Sequence, residues 1–301
     1  MTHSYSKINS IPKGQASERL VEGCLVLEGG AFRGLYTQGF LDAMMENDLN
    51  LSCVIGVSAG ALGGMNYVSG QIGRSARTNL TFRHDSRYIG AKAAWHSHSI
   101  LDVSFLTEDR GIIPEPLDEQ RFYRPEQRFI AVATNCLTGG TTYFEKNQCD
   151  DIITAIRASA TMPYISPEVL IDGTPYLDGG CSCGIPYEWA IEQGFEKIIV
   201  IKTRDIYYRD PEKINYAAID LYQHKYPEFA EVLSKSAIHY NHQCDETERL
   251  HAAGRLMRFA PEQEVTVGRI ESDVEKLGEL YWLGYNDCKA HLDEIRDYLG
   301  T

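Results

Sequence analysis

One serine stands between two glycines in the stretch GVSAG, residues 56–60, at the end of the apolar run CVIGV. The G-x-S-x-G spacing is typical of a nucleophilic serine on a sharp turn between a strand and a helix. An ordinary helix N-cap is the alternative, since serine is preferred there. Ser58 is therefore a candidate nucleophile, which would need a base for its proton and hydrogen-bond donors for an oxyanion.

A glycine-rich stretch, EGGAFRG at 28–34, follows the apolar run CLVLE. Free backbone N–H groups and the helix dipole favour negative charge at the start of a helix, so this loop could hold the oxyanion of an acyl transfer. Dinucleotide binding is the alternative, but G-x-G-x-x-G would need glycine where Ala31 stands, and the chain has no P-loop lysine–serine pair.

The base for Ser58 could be a histidine or an aspartate. The chain order of an α/β-hydrolase triad would allow five histidines, none of them in a short loop directly after a predicted strand: His224, His239, His242, His251 and His291. Asp178, in LDGGCSCGIP, ends a predicted strand and precedes two glycines. Burial would raise the pKa of this carboxyl from about 4 and improve it as a base. A plain turn residue is the alternative for Asp178.

Other chemically active side chains carry weaker signals. Arg33 would lie in a first helical turn, where a cation opposes the helix dipole, so we favour a specific role over a solvated one. His84, His96 and His98 are interpreted as surface or capping residues, because no third metal ligand accompanies them. The eight cysteines include one close pair, CSC at 181–183, and are expected to be reduced and mostly buried.

The elements that must position these residues alternate along 24–204. Strands are predicted at 24–28, 53–57, 128–135, 141–145 and 197–204, helices at 31–47, 59–70, 150–160 and 185–194, and a hairpin at 168–180 around Asp172-Gly173. This alternation predicts a parallel sheet with right-handed crossovers, so the glycine loop and Ser58 should open at one sheet edge. The small residues after Ser58 predict a helix that approaches a neighbour closely.

The remaining segments suggest three parts. Residues 1–22 are expected to form a loose, polar lead-in, 23–205 a catalytic α/β domain, and 206–301 a mostly helical region packed on it. Within the last part we predict one returning strand in 258–270 and a final helix over 271–299. The irregular segment 71–127 is expected to form a loop or cap over the site.

Composition limits the classes of partner. The formal net charge is −13, from 29 basic and 42 acidic residues, which argues against a broad nucleic-acid footprint. The N-terminus lacks the apolar core of a secretory signal, and no apolar run approaches the ~20 residues of a membrane span. We therefore expect a cytoplasmic protein.

Together, these motifs resemble those of the patatin-like phospholipase family. GGAFRG matches its oxyanion loop, GVSAG its nucleophile motif and DGG the motif of its catalytic aspartate. ASATMPYISP (158–167) and VATNCLTGGTTYF (132–144) are similar to two further blocks of the family. The resemblance covers about 24–204, and the tail resembles that of a bacterial subgroup.

The resemblance implies a three-layer α/β/α sandwich with a mainly parallel sheet, and a Ser–Asp dyad without histidine, cofactor or metal. Its site residues would be Ser58 as nucleophile, Asp178 as base, the backbone N–H groups of Gly29, Gly30 and Ala31 as the oxyanion hole, and Arg33 as the residue that braces the loop. The family usually has a third glycine at position 31, and alanine disfavours a positive φ. We therefore expect ordinary backbone angles at Ala31, or a narrower hole.

The function implied is a serine acyl hydrolase of the lipase or phospholipase A type, which cleaves fatty-acyl esters of lipids. Two alternatives remain: an acyltransferase using the same acyl-enzyme, and a non-catalytic lipid-binding protein. The expected partners are a lipid or phospholipid ester and, transiently, a membrane surface, with no nucleic acid. The sequence predicts no oligomeric state.

Overall fold

A computed structural model describes residues 4–90, 92–93, 102–107 and 112–301. The strands are β1 (Gly14–Gln15), β2 (Leu20–Leu27), β3 (Asn50–Val57), β4 (Gln71–Ile72), β5 (Arg128–Asn135), β6 (Thr141–Glu145), β7 (Val169–Ile171), β8 (Thr174–Asp178), β9 (Ile198–Ile201) and β10 (Met257–Phe259). Their order in the central eight-stranded sheet is β10-β9-β2-β3-β5-β8-β7, with β6 also paired to β5.

The helices of the described residues alternate with these strands. They are α1 (Gly34–Glu46), α2 (Ala59–Val68), α3 (Arg74–Phe82), α4 (Ser104–Thr107), α5 (Glu119–Phe122), α6 (Ile152–Ser159), α7 (Tyr187–Glu192), α8 (Tyr216–Tyr222), α9 (Pro227–Ser234), α10 (Ser236–Ala252), α11 (Val274–Ala290) and α12 (Leu292–Leu299). Short 3₁₀ turns occur at Ile8–Ser10, Ala31–Arg33 and Gly179–Cys181.

The sheet is mainly parallel, as predicted. β10, β9, β2, β3 and β5 run parallel to one another, whereas β6, β7 and β8 are joined by antiparallel pairing. The predicted hairpin is confirmed: Ile171 pairs with Thr174 across the Asp172-Gly173 turn. The predicted strands at 128–135 and 141–145 match β5 and β6 residue for residue.

Apolar side chains on both faces of the sheet make it the middle layer of three. In β2, Leu25 and Leu27 enter the core formed with α1, α2 and α11, whereas Cys24 and Val26 enter the core formed with α7 and α10. This alternation follows from the two-residue period of a strand. The chain therefore forms the expected α/β/α sandwich.

The register at β5 positions the end of β8. Val57, the last residue of β3, pairs with Val132, and Asp178, the last residue of β8, pairs with Ala133. β6 occupies the other edge of β5 from Ile130 to Thr134. β8 must therefore lie on the same edge of β5 as β3 and meet it end to end.

The C-terminal helix α11 packs against α1 with almost no side chain between the two backbones. A Cβ atom added to Gly39 in α1 would stand 2.0 Å from the carbonyl oxygen of Tyr281, and one added to Gly284 in α11 would stand 1.9 Å from that of Tyr36. Only glycine can occupy either position without displacing a helix. The C-terminal region thus shares the main core, while the boundary near residue 205 stays a prediction.

Two expectations from the sequence are wrong in detail, and a third is confirmed over a shorter range. Residues 4–22 are not loose, because β1 pairs with β4 and the side chains of Tyr5 and Ile11 are buried. The returning strand in 258–270 is confined to β10. The final helix is two helices, since His291 leaves helical geometry between α11 and α12, where its ring packs against Phe259 at 5.5 Å.

Several smaller points complete the description. All eight cysteines are free, and seven of them are buried. His96 and His98 lie outside the described residues. Within the described ranges, no helix has both the length and the apolarity needed to cross a membrane.

Candidate active site

Ser58 occupies the sharp turn between β3 and α2. Its backbone has φ 56° and ψ −121°, a conformation that costs free energy for any residue with a side chain. Its hydroxyl makes no capping hydrogen bond to α2, so the N-cap alternative is wrong. Its N–H donates instead to Oγ of Ser159, at 2.9 Å, in the buried end of α6. The turn therefore leaves the hydroxyl of Ser58 free for other contacts.

The glycine after the serine fixes this turn against the neighbouring strand. A Cβ atom on Gly60 would stand 2.4 Å from the carbonyl oxygen of Leu27, at the end of β2. The first turn of α2 therefore lies directly on the start of the glycine loop, which confirms the close approach predicted from its small residues. A Cβ on Gly29 would stand 3.1 Å from Cβ of Ser58, so that loop and the serine are adjacent.

The glycine loop presents unused backbone donors beside Ser58. No described residue accepts a hydrogen bond from the N–H groups of Gly29, Gly30 or Ala31. The carbonyl of Gly29 is held by the hydroxyl of Thr203 at 2.7 Å, and the N–H of Thr203 donates to the carboxylate of Glu28. Thr203, two residues after the end of β9, thereby fixes the orientation of the first peptide of the loop.

Ala31 departs from the expected backbone geometry. Its φ is 50°, in the left-handed region, so the expectation of ordinary angles is wrong. This conformation costs an alanine roughly 1–2 kcal/mol. The 3₁₀ turn at Ala31–Arg33 and the start of α1 hold it in place, and the residue lines the cavity beside Ser58.

Asp178 is fixed by the strands around it. Its N–H donates to the carbonyl of Thr161 at 2.8 Å, and its own carbonyl accepts from the hydroxyl of Thr134 at 2.9 Å. One carboxylate oxygen accepts from the N–H of Gly180, at 2.8 Å. The carboxyl group lies close enough to the hydroxyl of Ser58 for that hydroxyl to act on its pKa.

Burial changes the acidity of this carboxyl. The side chain of Asp178 is buried, which raises its pKa to about 6, against the opposing effects of the Ser58 hydroxyl, the Gly180 N–H and the charge of Arg269. A carboxylate with this pKa is still ionised at neutral pH and is a stronger base than one in water. No hydrogen bond joins any described histidine to Ser58 or Asp178.

Arg33 is buried rather than solvated, with 5% of its surface exposed. Burial, together with the charges of Arg204 and Arg269, lowers the pKa of its guanidinium to about 10. Its Nε is buried without an acceptor among the described residues, and its guanidinium donates no hydrogen bond to the glycine loop. The interpretation of Arg33 as a solvated residue is therefore wrong. No hydrogen bond supports a role in bracing the glycine loop.

A cavity extends from Ser58 between α2, α3 and α4. The cavity is partly open to solvent. Its lining is mainly apolar near the serine, with Phe32, Leu62 and Met65, and includes Met162 of the ASATMPYISP block. A slot with this mainly apolar lining suits an acyl chain. Parts of the predicted cap in 71–127 line it.

Comparison with known families decides the broader classification. A family model described as patatin-like phospholipase matches residues 25–191, more than half of the chain. The chain belongs to the patatin-like phospholipase family. A second model, described as a domain of unknown function (DUF6363), matches residues 226–300 of this patatin-like protein.

The patatin-like chain also matches individual proteins. It is 28% identical over 183 residues to the uncharacterized protein YjjU of Escherichia coli K12, which covers 60% of this chain and 51% of YjjU. It is 28% identical over 180 residues to the uncharacterized NTE family protein Rv1063c of Mycobacterium tuberculosis, covering 58% and 46%. The matches thus span about half the length of these relatives.

One solved structure with a similar chain trace is that of VipD from Legionella pneumophila. The TM-score is 0.47 at 14% identity, and the superposition covers 93% of the patatin-like chain and 68% of VipD.

Three residues that contact the site were not found from the sequence. Ser159 lies within a block that resembles the family, and Thr203 lies near the end of the strand predicted at 197–204, so both carried a usable signal. Arg269 carried none, because its proximity to Asp178 arises from the packing of the C-terminal region.

Proposed function

We propose that this protein is a serine acyl hydrolase that cleaves fatty-acyl esters of lipids. Ser58 is the nucleophile and Asp178 its base, and the N–H groups of Gly29, Gly30 and Ala31 form the oxyanion hole. The observation that carries the proposal is the buried carboxyl of Asp178 against the hydroxyl of Ser58, beside three backbone donors without acceptors.

The first half-reaction would form an acyl-enzyme. Asp178 accepts the proton of Ser58 as the serine oxygen bonds to the ester carbonyl carbon, and the glycine loop stabilises the resulting oxyanion. When the carbon–oxygen bond to the alcohol breaks, Asp178 returns the proton to the leaving alcohol. The acyl chain occupies the cavity lined by Leu62 and Met65.

The second half-reaction would release the fatty acid. Asp178 accepts a proton from water, whose oxygen attacks the acyl-enzyme carbonyl, and the glycine loop again holds the oxyanion. Collapse of this intermediate breaks the bond to Ser58 and restores its hydroxyl.

The test uses a fluorophosphonate probe and an ester assay. The wild type should be labelled and Ser58→Ala should not, and Asp178→Asn should lose about 100-fold or more of the ester turnover while staying folded. Asp172→Asn is the matched control, because Asp172 also precedes a glycine but lies exposed in the β7–β8 turn. Equal labelling of wild type and Ser58→Ala would refute the assignment.

The same assays separate the two alternatives. An acyltransferase would pass the acyl group to an added alcohol or thiol in preference to water. A non-catalytic lipid binder would bind liposomes without any ester turnover or labelling of Ser58.

The setting of the activity belongs to the same proposal. We propose that the protein, whose formal net charge is −13, works in the cytoplasm. It would contact a membrane surface transiently to reach its lipid substrate. The division at residues 22 and 205 is proposed with it, with the catalytic residues in the middle part.

A further inference from the structure

Gln38 is a buried polar side chain in the middle of α1. It is 6% exposed, and its Oε1 atom is buried without a hydrogen-bond partner among the described residues. A buried amide without partners destabilises a fold, because it has lost its contacts with water and gained none in return. Its presence in the core therefore requires an explanation, for which a bound ligand is one candidate.

Contacts on either side of Gln38 establish which way it faces. A Cβ atom added to Gly34 would stand 2.9 Å from Cβ of Ala59, and one added to Gly63 would stand 3.8 Å from Cδ1 of Leu41. Residues 34, 38 and 41 lie on one face of a helix, so Gln38 faces α2 between these two contacts. There it lines the cavity that extends from the proposed nucleophile.

Helix α3 supplies further polar groups to the same cavity. Ser75 and Thr78, neighbours on one face of α3, line it, and their hydroxyls form no hydrogen bond within the described part of the chain. The start of α3 is fixed to α1 one turn beyond Gln38, where the N–H of Gly73 donates to the carboxylate of Asp42 at 2.8 Å. Three side chains with unused hydrogen-bonding groups therefore line the cavity where α1, α2 and α3 meet.

Other polar side chains that line the cavity have partners. Arg74 donates to Oδ1 of Asn66 at 2.6 Å and to the carbonyl of Glu115 at 2.7 Å. Oδ1 of Asn79 accepts from the hydroxyl of Tyr88 at 2.8 Å. The groups left unused are thus one neutral amide and two neutral hydroxyls, which can each donate and accept a hydrogen bond.

These unused groups lie beyond the nucleophile, along α2. At about 1.5 Å per residue, Leu62 lies about 6 Å and Asn66 about 12 Å along the helix from Ser58. Arg74, the first residue of α3, contacts Asn66, so α3 begins beside the far end of α2. An acyl chain bonded to Ser58 would therefore bring its distal part, and not its ester, to the unused polar groups.

Gln243 shows what a structural glutamine looks like in this protein. It is 8% exposed, its Oε1 accepts from the N–H groups of Gly184 and Ile185, and its Nε2 donates to the carbonyl of Ile185. Gln38 is buried to the same extent, but no described residue bonds to its amide. The two glutamines therefore differ in whether the fold itself uses them.

We propose that the cavity selects acyl chains that carry a hydroxyl group in their distal part, and that Gln38, with Ser75 and Thr78, binds this hydroxyl. The inference rests on the proposed function and narrows the acyl half of its substrate to hydroxylated chains. A hydroxyl both donates and accepts, as the three unused groups do. An unsubstituted chain would leave the amide of Gln38 unpaired, and a carboxylate would meet only neutral groups there.

The test uses p-nitrophenyl esters of six-, eight- and ten-carbon acids, each with and without a terminal hydroxyl group. The three lengths carry the hydroxyl to three depths of the cavity. The kcat/KM values of the wild type, Gln38→Leu and Thr78→Val are measured on every pair. Gln148→Leu, the same change at an exposed position outside the cavity, is the matched control.

At one of the three lengths, the wild type should favour the hydroxylated member by about tenfold or more, because that hydroxyl pairs with buried groups. Gln38→Leu should lower this ratio by about tenfold or more, and Thr78→Val should lower it by about threefold. Gln148→Leu should keep the ratio of the wild type. A wild type that favours the unsubstituted member of every pair would overturn the inference, as would a ratio that Gln38→Leu leaves unchanged.

Thermal unfolding gives a readout that does not depend on activity. Gln38→Leu should raise the melting temperature by about 2 °C or more, because it removes a buried amide without partners. Gln243→Leu should lower it, because it breaks the hydrogen bonds to Gly184 and Ile185. A fall for Gln38→Leu as large as that for Gln243→Leu would show that Gln38 holds the fold together, and would overturn its assignment to a ligand.

Binding to the inactive protein separates this inference from the proposed function. If the wild type hydrolyses none of the esters and resists the fluorophosphonate, the proposed function fails. Methyl octanoate and methyl 8-hydroxyoctanoate can still be titrated into Ser58→Ala by calorimetry. The hydroxylated ester should bind about tenfold more tightly, and adding Gln38→Leu should remove the difference. Equal affinities of Ser58→Ala for the two esters would overturn the inference.

Discussion

Asp178 and Val57 pair with consecutive residues on one edge of β5, Asp178 with Ala133 and Val57 with Val132. Because Ser58 follows Val57 directly, the two strands meet end to end with the serine and the aspartate at their junction. Backbone hydrogen bonds, rather than flexible side chains, thereby set the spacing of two residues 120 positions apart in the chain. Preorganisation of this kind lets a proton transfer proceed without a large rearrangement.

The acidity of Asp178 predicts the pH dependence of ester hydrolysis. With a pKa of about 6, the carboxylate, which is the proposed base, dominates above that pH. We expect kcat/KM for a neutral ester to be level above about pH 7 and to fall tenfold per unit well below 6. Arg269→Gln should move the acidic limb to higher pH, because the charge of Arg269 lowers this pKa. A profile that is flat down to pH 4 would contradict the assignment of Asp178.

The same shift predicts a gain in stability when the carboxylate of Asp178 is removed. The folded state binds the proton of Asp178 more tightly than the unfolded chain does. The contribution of this proton to the free energy of unfolding is therefore complete below pH 3.8, and it is lost as the pH rises through 6. Asp178→Asn avoids that loss. At pH 8 its free energy of unfolding should exceed that of the wild type by about 1–3 kcal/mol.

Urea unfolding of both proteins at pH 8 and pH 4 measures this difference. The gain should shrink towards zero at pH 4, which separates it from any change in packing that is independent of pH. Asp42, another buried carboxyl with a pKa raised to about 7, is present in both proteins and cancels in the comparison. A wild type that is the more stable of the two at pH 8 would refute this reading of the site.

The backbone at Ala31 predicts which substitutions the glycine loop tolerates. Ala31→Gly should keep activity and change the free energy of unfolding by less than about 1 kcal/mol, because relief of the left-handed strain offsets the greater freedom of the unfolded chain. Ala31→Val should lose about 100-fold in kcat, since a β-branched residue resists this φ and would move the oxyanion donors. Equal activity of the two variants would show that the loop geometry is unimportant.

Contact between α1 and α11 predicts an unusual response to alanine. Glycine to alanine inside a helix normally stabilises by about 1 kcal/mol. Gly39→Ala and Gly284→Ala should instead each destabilise by about 3 kcal/mol or more, because the added methyl group meets a carbonyl oxygen of the other helix. Gly268→Ala, where nothing lies within 4 Å of the added atom, is the control and should be near neutral. Thermal or urea unfolding tests all three.

Sequence patterns were sufficient where local signals and tertiary structure agreed. β5, β6 and the β7–β8 hairpin follow from short apolar runs and a clear Asp-Gly turn. The turn at Ser58 and the start of the glycine loop were predicted from glycines. These glycines stand where the Cβ atom of a larger residue would crowd its neighbours. At these positions, local sequence alone constrains the backbone.

Other features depend on contacts between distant segments. Nothing local predicts that His291 interrupts the last helix, since its non-helical position is tied to packing on Phe259. The left-handed φ of Ala31 contradicts the local preference of alanine. Thr203 reaches the glycine loop because β9 lies next to β2 in the sheet. The segment that carries Arg269 is held by a hydrogen bond from Arg83 to the carbonyl of Ile270. The sequence reveals neither contact.

β9 lies between β10 and β2 in the sheet, although it follows residue 191, where the match to the patatin-like family model ends. A fragment cut at that residue would expose β2, the strand that leads into the glycine loop, as a bare apolar edge, the kind of edge through which proteins aggregate. The segment by which the family is recognised is therefore not a unit that can be exchanged between proteins. Any graft or shortened form must retain the strands that the downstream sequence returns to the sheet.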